Sequence, residues 1–295
     1  MDLTQSLERY QKMLEELHRE EERPVCRLNL SREPFGPLDS HLGGAPYCPR
    51  GGVLPVDSEG RQLWLCAQIN FAQMPRMAGF PEEGILQLFL SPFDQDGGFG
   101  LYGSEDWTNQ NFCRAVYYPE ADGTVTWEEL QAKLQVDWSL GEPWRIPAWP
   151  MKVSFTSGRE GLTWNDWRFE DRMAAAVRRW FPDHDPKKDL EDTLWNACED
   201  TGQRIFLRDS RERIEGRGCK IGGFPAFAQE APRLYGEDRQ DWDVLLFQLD
   251  ELNELGKVGE DGLDLGDCGV LNLFIRPQDL ERRDFSRVGW DWACS

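Results

Sequence analysis

The stretch Gly84-Ile-Leu-Gln-Leu-Phe-Leu-Ser-Pro92 decides the fold, because it recurs as Gly269-Val-Leu-Asn-Leu-Phe-Ile-Arg-Pro277 with five identical positions in nine. Both stretches are short apolar runs of Leu, Ile, Val and Phe, with Gly before the run and Pro after it. That pattern is typical of a buried β-strand. Two matching strands this far apart in the chain indicate that a β unit is repeated.

Two further blocks repeat in the same order. His41-Leu-Gly-Gly-Ala-Pro46 aligns with Lys220-Ile-Gly-Gly-Phe-Pro225, and Leu65-Cys-Ala-Gln-Ile-Asn70 aligns with Leu245-Leu-Phe-Gln-Leu-Asp250. The three offsets are 179, 180 and 185 residues. Three ordered blocks at a nearly constant offset predict an internal duplication. We therefore expect an α+β fold made of internally duplicated, mostly antiparallel β units with peripheral helices.

The Gly-Gly-x-Pro element places two permissive residues before one whose φ is fixed, which favours a turn with positive φ or a close approach of the backbone. A structural turn between strands and a functional loop both fit this pattern. The predicted turn residues are Gly43, Gly44, Pro46, Gly222, Gly223 and Pro225. In the following strands, one amide (Gln68 or Gln248) is embedded in apolar sequence. Because an unpartnered buried amide is costly, we expect each to bind backbone or a partner across the sheet.

Residues 1–23 carry apolar side chains at helical spacing and predict an amphipathic helix, which docks on its own body or on another chain. We expect residues 24–295 to form one body of two homologous halves, at about 38–120 and 215–295. A helical and Trp-rich connection at about 121–214 joins them. Within it we predict helices starting near Thr126 and over 169–180 and 190–198. Residues 137–167 are predicted to be an irregular connection, and 204–220 a solvated charged strand or loop.

Composition argues against several classes of function. The chain has 295 residues, 33 Lys and Arg against 53 Asp and Glu, and a net charge of −20, which disfavours nucleic acid as the main partner. No run approaches eighteen apolar residues and no export signal is present, so we expect a cytoplasmic protein without membrane contact. No two of the eight cysteines are closer than 18 residues. That spacing predicts no zinc knuckle, and we expect no metal and no cofactor.

With three histidines and no nucleophile motif such as GxSxG, catalysis is not favoured, and we expect a protein that is not an enzyme. The repeat blocks, together with Arg283 to Cys294, resemble the YwqG-like family, a bacterial domain of unknown function. The resemblance covers roughly Leu38 to Cys294. It implies an α+β fold with duplicated antiparallel β units. It also implies a distant relation to programmed-cell-death-two-like proteins, whose K-x-G-G-x-P motif is similar to Lys220 to Pro225 and whose members chaperone a ribosomal protein.

Two functions follow as hypotheses. The first is a non-enzymatic protein-binding module, chaperone-like or immunity-like, whose acidic surface and duplicated turns bind a basic protein. The alternative is a small-molecule or enzymatic site in a cleft between the two halves. For that cleft the candidate residues are His41, Gln68, Asn70, Lys220, Gln248 and Asp250.

Overall fold

A computed structural model describes residues 2–92, 106–111, 113–135, 147, 149–234, 236–251, 263 and 265–294. The helices in this part of the chain are α1 (Leu3–Glu20), α2 (Trp127–Gln131), α3 (Phe169–Trp180), α4 (Leu190–Ala197), α5 (Thr201–Glu212) and α6 (Pro277–Glu281). None of them combines the length and the apolar character that crossing a bilayer requires.

The strands are β1 (Glu22–Ser31), β2 (His41–Leu42), β3 (Trp64–Asn70), β4 (Ile85–Leu90), β5 (Cys113–Tyr118), β6 (Met151–Gly161), β7 (Lys220–Gly222), β8 (Val244–Asp250), β9 (Val270–Ile275) and β10 (Gly289–Ala293). They form one ten-stranded sheet in the order β10-β9-β8-β7-β1-β6-β2-β3-β4-β5. Every described pairing is antiparallel. The prediction of an α+β fold with a mostly antiparallel sheet is therefore confirmed.

The central pair of the sheet, β1 and β6, was not expected from the sequence. Ten residue pairs align the two strands, from Glu22 opposite Gly161 to Ser31 opposite Lys152. Residues 137–167 were predicted to be irregular, and this is wrong for Met151–Gly161. Met151 and Val153 alternate with more exposed side chains, as in a strand with one buried face. The prolines, glycines and tryptophans around this segment hid the alternation.

The sheet has the same strand order when it is followed outward from its centre in either direction. On one side lie β2, β3, β4 and β5, which we call the first strand set, and on the other lie β7, β8, β9 and β10, the second strand set. A register shift interrupts the β3–β4 pairing between Leu65 and Ala67. The β8–β9 pairing is interrupted between Leu245 and Phe247. These positions are 180 residues apart, so the irregularity falls at matching places.

One face of the sheet forms the main apolar core. In β4 the side chains of Leu86, Leu88 and Leu90 enter this core, and in β9 Leu271 and Leu273 do so. Because strand side chains alternate, the polar Gln87 and Asn272 lie on the other face. The sheet is curled, and its two outer strands approach each other through neighbouring segments.

The approach of the two sheet edges is visible in three contacts. The rings of Tyr117 and Phe285 are 5.1 Å apart between centroids. Gln110 donates to the carbonyl of Ser286 at 2.8 Å, and Trp290 N donates to the carbonyl of Trp107 at 2.9 Å. The backbone at both edges is thus partly covered, which limits pairing with another chain.

Helices α1, α3, α4 and α5 form a separate layer with its own apolar core. The predicted N-terminal helix is confirmed as α1, and its buried stripe of Leu7, Tyr10, Leu14 and Leu17 packs within this layer. The helices over 169–180 and near 190–198 are also confirmed. Residues 204–212 belong to α5, so the prediction of a charged strand or loop is wrong there. Leu207 and Ser210 are buried, and the charged side chains cover the solvent side of the helix.

Candidate functional site: two motif clusters and an arginine-lined pocket

The two Gly-Gly-x-Pro elements have the backbone conformation that the sequence predicted. Gly43 and Gly44 have φ of 63° and 78°, and Gly222 and Gly223 have φ of 72° and 70°. A Cβ at Gly222 would lie 2.7 Å from the carbonyl oxygen of Pro24, so the turn also needs glycine for space. Both elements are largely buried, including Pro46 and Pro225. They hold loops against the sheet and offer little surface to a partner.

The strand amides bind these loops. Gln68 Oε1 accepts from Tyr47 N, and Gln248 Oε1 accepts from Ala226 N, both at 2.8 Å. Each amide nitrogen donates to two carbonyls just before the short strand of its set. For Gln68 these are Pro37 and Asp39, at 3.1 and 2.9 Å. For Gln248 they are Gly216 and Gly218, at 3.0 and 2.8 Å. The expectation that both glutamines hydrogen-bond backbone is confirmed.

In each strand set, a second amide on the neighbouring strand hydrogen-bonds to the same loop. Gln87 Nε2 donates to Tyr47 O at 2.8 Å, and Asn272 Nδ2 donates to Ala226 O at 2.7 Å. These roles of Gln87 and Asn272 were not predicted from the sequence. The signal was present, because each is the one polar side chain inside an apolar strand.

Asn70 and Asp250 end their strands at matching positions but differ in charge. Asn70 Nδ2 donates to Leu38 O at 2.9 Å. Asp250 is fully buried and accepts from Arg217 Nη2 at 2.7 Å and from Gly218 N at 2.6 Å. In both sets the side chain therefore fixes the segment that leads into the short strand. These are structural bonds, and Asp250 has its charge balanced by Arg217.

His41 lies in an apolar environment. Its ring stacks on Phe35 at 4.7 Å and meets the edge of Trp127 at 6.0 Å between centroids. Nδ1 donates to the carbonyl of Gly43 at 2.7 Å, while Nε2 is buried and has no hydrogen-bond partner among the described residues. Burial lowers the pKa of His41 to about 4, and the bond to Gly43 opposes this only in part. The imidazole is therefore neutral at physiological pH.

Lys220 occupies the corresponding position in the second strand set and is also fully buried. Its Nζ donates to Glu160 Oε2 at 2.7 Å and to Gly216 O at 2.6 Å. Glu160 also accepts from Phe224 N at 2.8 Å and from Arg27 Nη2 at 3.0 Å. Burial lowers the pKa of Lys220, and the adjacent Glu160 carboxylate opposes that shift. The result is a hydrogen-bonded ion pair inside the protein.

The six predicted cleft residues form two groups. His41, Gln68 and Asn70 lie in the first strand set, and Lys220, Gln248 and Asp250 lie in the second. Strands β2 and β7 are separated by β6 and β1, which puts three strand spacings, or about 14 Å, between His41 and Lys220 along the sheet. Gln68 and Gln248 are five spacings apart, about 24 Å. Along the sheet, the members of each predicted pair therefore lie in different strand sets.

A pocket of about 300 Å³ adjoins the Lys220 group. Glu160 and Gly216, which both accept hydrogen bonds from Lys220, are part of its wall, and so is Arg217, the partner of Asp250. Three further arginines complete the positive side of the lining, Arg27, Arg159 and Arg213, and His18 also lines the pocket. The pocket was not predicted from the sequence, because its arginines come from segments far apart in the chain.

Comparison with known proteins places the chain in a family without assigning it an activity. A search of curated proteins finds no match. The model of one protein family matches residues 40–294, which contain β2 to β10 but not β1. The matched region includes both motif clusters and the short strands that carry them. The chain belongs to the family described as a domain of unknown function (DUF1963).

Proposed function

We propose that this protein is a cytoplasmic, non-enzymatic binding module whose partner is a basic protein. The observation that carries the proposal is the uneven distribution of charge. Residues 236–268 contain eleven Asp and Glu, of which Asp250 and Glu251 are buried, but only two Lys and Arg. Within this stretch Asp238, Asp241 and Asp267 have exposed side chains. Like-charged surface of this kind attracts a partner of opposite charge and raises its association rate.

A binding role is also supported by the use of the polar side chains in the two motif clusters. Gln68, Gln248 and Asp250 hold backbone segments in place, and Lys220 is committed to Glu160. Side chains engaged in this way stabilise the loops and leave few groups to carry out a reaction. The buried Gly-Gly-x-Pro turns therefore act as internal supports in this proposal, and the acidic surface makes the contact.

The test is photo-crosslinking of the full-length chain in an extract of its native host, at several salt concentrations. We expect the captured partners to be basic proteins whose recovery falls as ionic strength rises. Replacing Asp238, Asp241 and Asp267 by Asn should reduce recovery by about tenfold, because the long-range attraction is weakened.

The matched control removes three exposed acidic charges elsewhere, with Glu8→Gln, Glu120→Gln and Asp183→Asn. Both triple variants change the net charge by the same amount. If the two variants lose partner recovery equally, the acidic stretch has no special role. Recovery of proteins without a basic bias, or without salt dependence, would exclude the proposal.

We also propose that the two strand sets, each with the long strand that precedes it, arose by internal duplication. The supporting observations are the mirrored strand order, the matching register shifts and the repeated bonds from Gln68 and Gln248 to their loops. In this scheme β1 corresponds to β6, and the segment 162–219 with helices α3, α4 and α5 is an addition to the second unit.

A further inference from the structure

The pocket beside Lys220 concentrates positive side chains in a chain whose net charge is −20. Arg27 projects from β1 and Arg159 from β6, while Arg213 and Arg217 follow α5. Four guanidinium groups from three parts of the fold thus surround a space of about 300 Å³. That volume lies at the small end of the range for ligand pockets.

Two carboxylates also line the pocket, and both have partners. Glu160 accepts from Lys220 and Phe224 N with one oxygen and from Arg27 with the other. Glu212 pairs with Arg208 at 3.2 Å on α5. Because these charges are balanced by neighbouring cations, they repel an incoming anion less than free carboxylates would.

The arginines retain hydrogen-bonding capacity. Arg213 is exposed and has no ion pair among the described residues. Arg217 binds Asp250 and Cys268 O through Nη2, while its buried Nε has no acceptor in the described part of the chain. Arg159 is engaged by Glu22 at 2.9 Å, and Arg27 remains 45% exposed despite its bond to Glu160. Arg213 also stands at the C-cap of α5, where it offsets the partial negative charge of the helix end.

We propose that this pocket binds a small phosphate-bearing anion, a function that goes beyond the binding of a basic protein. Guanidinium groups form paired hydrogen bonds with phosphate oxygens. Arginines placed on several sides of the space fit a group with three terminal oxygens better than a carboxylate, which has two. The Lys220–Glu160 pair beneath the wall holds Gly216 and Glu160 in position for this arrangement.

The test is titration of the full-length chain with inorganic phosphate, phenyl phosphate and acetate. Calorimetry follows all three titrations, and the linewidth of the phosphorus NMR signal follows the two phosphate compounds. We expect saturable binding of both phosphate compounds and weaker binding of acetate. Tighter binding of phenyl phosphate than of inorganic phosphate would identify a phosphorylated small molecule as the ligand class. Equal affinity would identify free phosphate.

Arg213→Gln should weaken phosphate binding about tenfold or more, since it removes a charged hydrogen-bond donor. Arg178→Gln is the matched control, because Arg178 is an exposed arginine on α3 without an ion pair among the described residues. Arg178→Gln should leave the affinity for phosphate unchanged, and both variants should unfold at the same temperature as the wild-type chain. Absence of saturable phosphate binding, acetate binding as tight as phosphate, or equal losses in the two variants would overturn the proposal.

Discussion

His41 makes the folded state sensitive to acid. Its pKa of about 4 in the folded protein lies below its ordinary value of 6.5, so the unfolded chain binds a proton first as the pH falls. The stability that depends on a neutral His41 is complete above pH 6.5 and is lost as the pH falls towards 4. The shift corresponds to about 3 kcal/mol. Below pH 4 this contribution no longer changes.

Replacing His41 by Asn keeps a donor near Gly43 O but removes the titrating ring. Urea unfolding at several pH values should therefore show a smaller loss of stability between pH 6.5 and 4 in H41N than in the wild type. His184→Asn, at a partly exposed histidine, is the control. Parallel stability curves for wild type and H41N over this range would contradict the assignment of His41 as a buried neutral base.

The Lys220–Glu160 pair should show strong coupling. Lys220→Met leaves the buried Glu160 carboxylate without its main partner, which is expected to cost about 3–5 kcal/mol of unfolding free energy. The double variant Lys220→His with Glu160→Phe reproduces the residue types of the His41–Phe35 stack. It removes both charges together and should be more stable than K220M, although Phe224 N then loses an acceptor.

A double-mutant cycle on denaturant unfolding measures this coupling, with Lys220→His and Glu160→Phe as the two single variants. Additive losses in the double variant would mean that the two positions act independently.

At the level of residues, the sequence predicted roles that depend on near neighbours. A lone amide in an apolar strand must find partners, and this reasoning located Gln68 and Gln248. It could not locate Phe35 as the partner of His41 or Glu160 as the partner of Lys220. Glu160 lies on β6, which was not recognised as a strand, and a partner 60 residues away is fixed only by the sheet pairing.

At the level of elements, the Gly-Gly-x-Pro turn contributes to stability through a close backbone approach. Gly222 and Gly60 both have positive φ, 72° and 82°. A Cβ at Gly222 would meet Pro24 O of β1 at 2.7 Å, whereas nothing lies within 4 Å of a Cβ at Gly60. Gly222→Ala should therefore destabilise the fold by more than Gly60→Ala, which carries only the backbone strain of about 1 kcal/mol.

The difference between the two alanine variants is measured by thermal or urea unfolding. Since both substitutions add one methyl group at a positive φ, the backbone term is shared, and the difference reports the contacts with Pro24 O of β1 and with the Met77 side chain, whose Sδ would lie 3.0 Å from the added Cβ. Equal losses would show that β1 and Met77 both move away at little cost and that the β1–β7 pairing is not held tightly by the turn.

Elements with strong local signals were the ones that the sequence located. The leucine stripe of α1, the capping box before α2 and the runs of β4 and β9 are all visible in short windows. β1 and β6 carry charged or small residues on their exposed face, so their alternation is weak. α5 was not predicted as a helix, because the six basic residues between 204 and 220 favoured a charged strand or loop and the helix buries few side chains.

At the level of the whole molecule, the two strand sets are interleaved. β1 precedes the first set along the chain but pairs with β7 of the second, and β6 precedes the second set but pairs with β2 of the first. The main apolar core also contains residues from both sets, such as Leu88 and Leu273. Neither set, taken with the long strand that precedes it, can detach without breaking pairings of the other, which predicts one cooperative unfolding transition.

Two matched core variants test this cooperativity. Phe89 and Phe274 are both fully buried at corresponding positions of β4 and β9. Phe89→Leu and Phe274→Leu should each lower the unfolding free energy by about 1–2 kcal/mol. In hydrogen-exchange measurements, the protection free energy of peptides from β3–β4 and from β8–β9 should then fall by the same amount in both strand sets, whichever set carries the substitution. Val53→Ala, at a side chain that is 87% exposed, should change neither. Loss of protection confined to the substituted set would show that the two sets open separately. The pairing of β1 with β7 and of β6 with β2 would then not join the sheet into one cooperative unit.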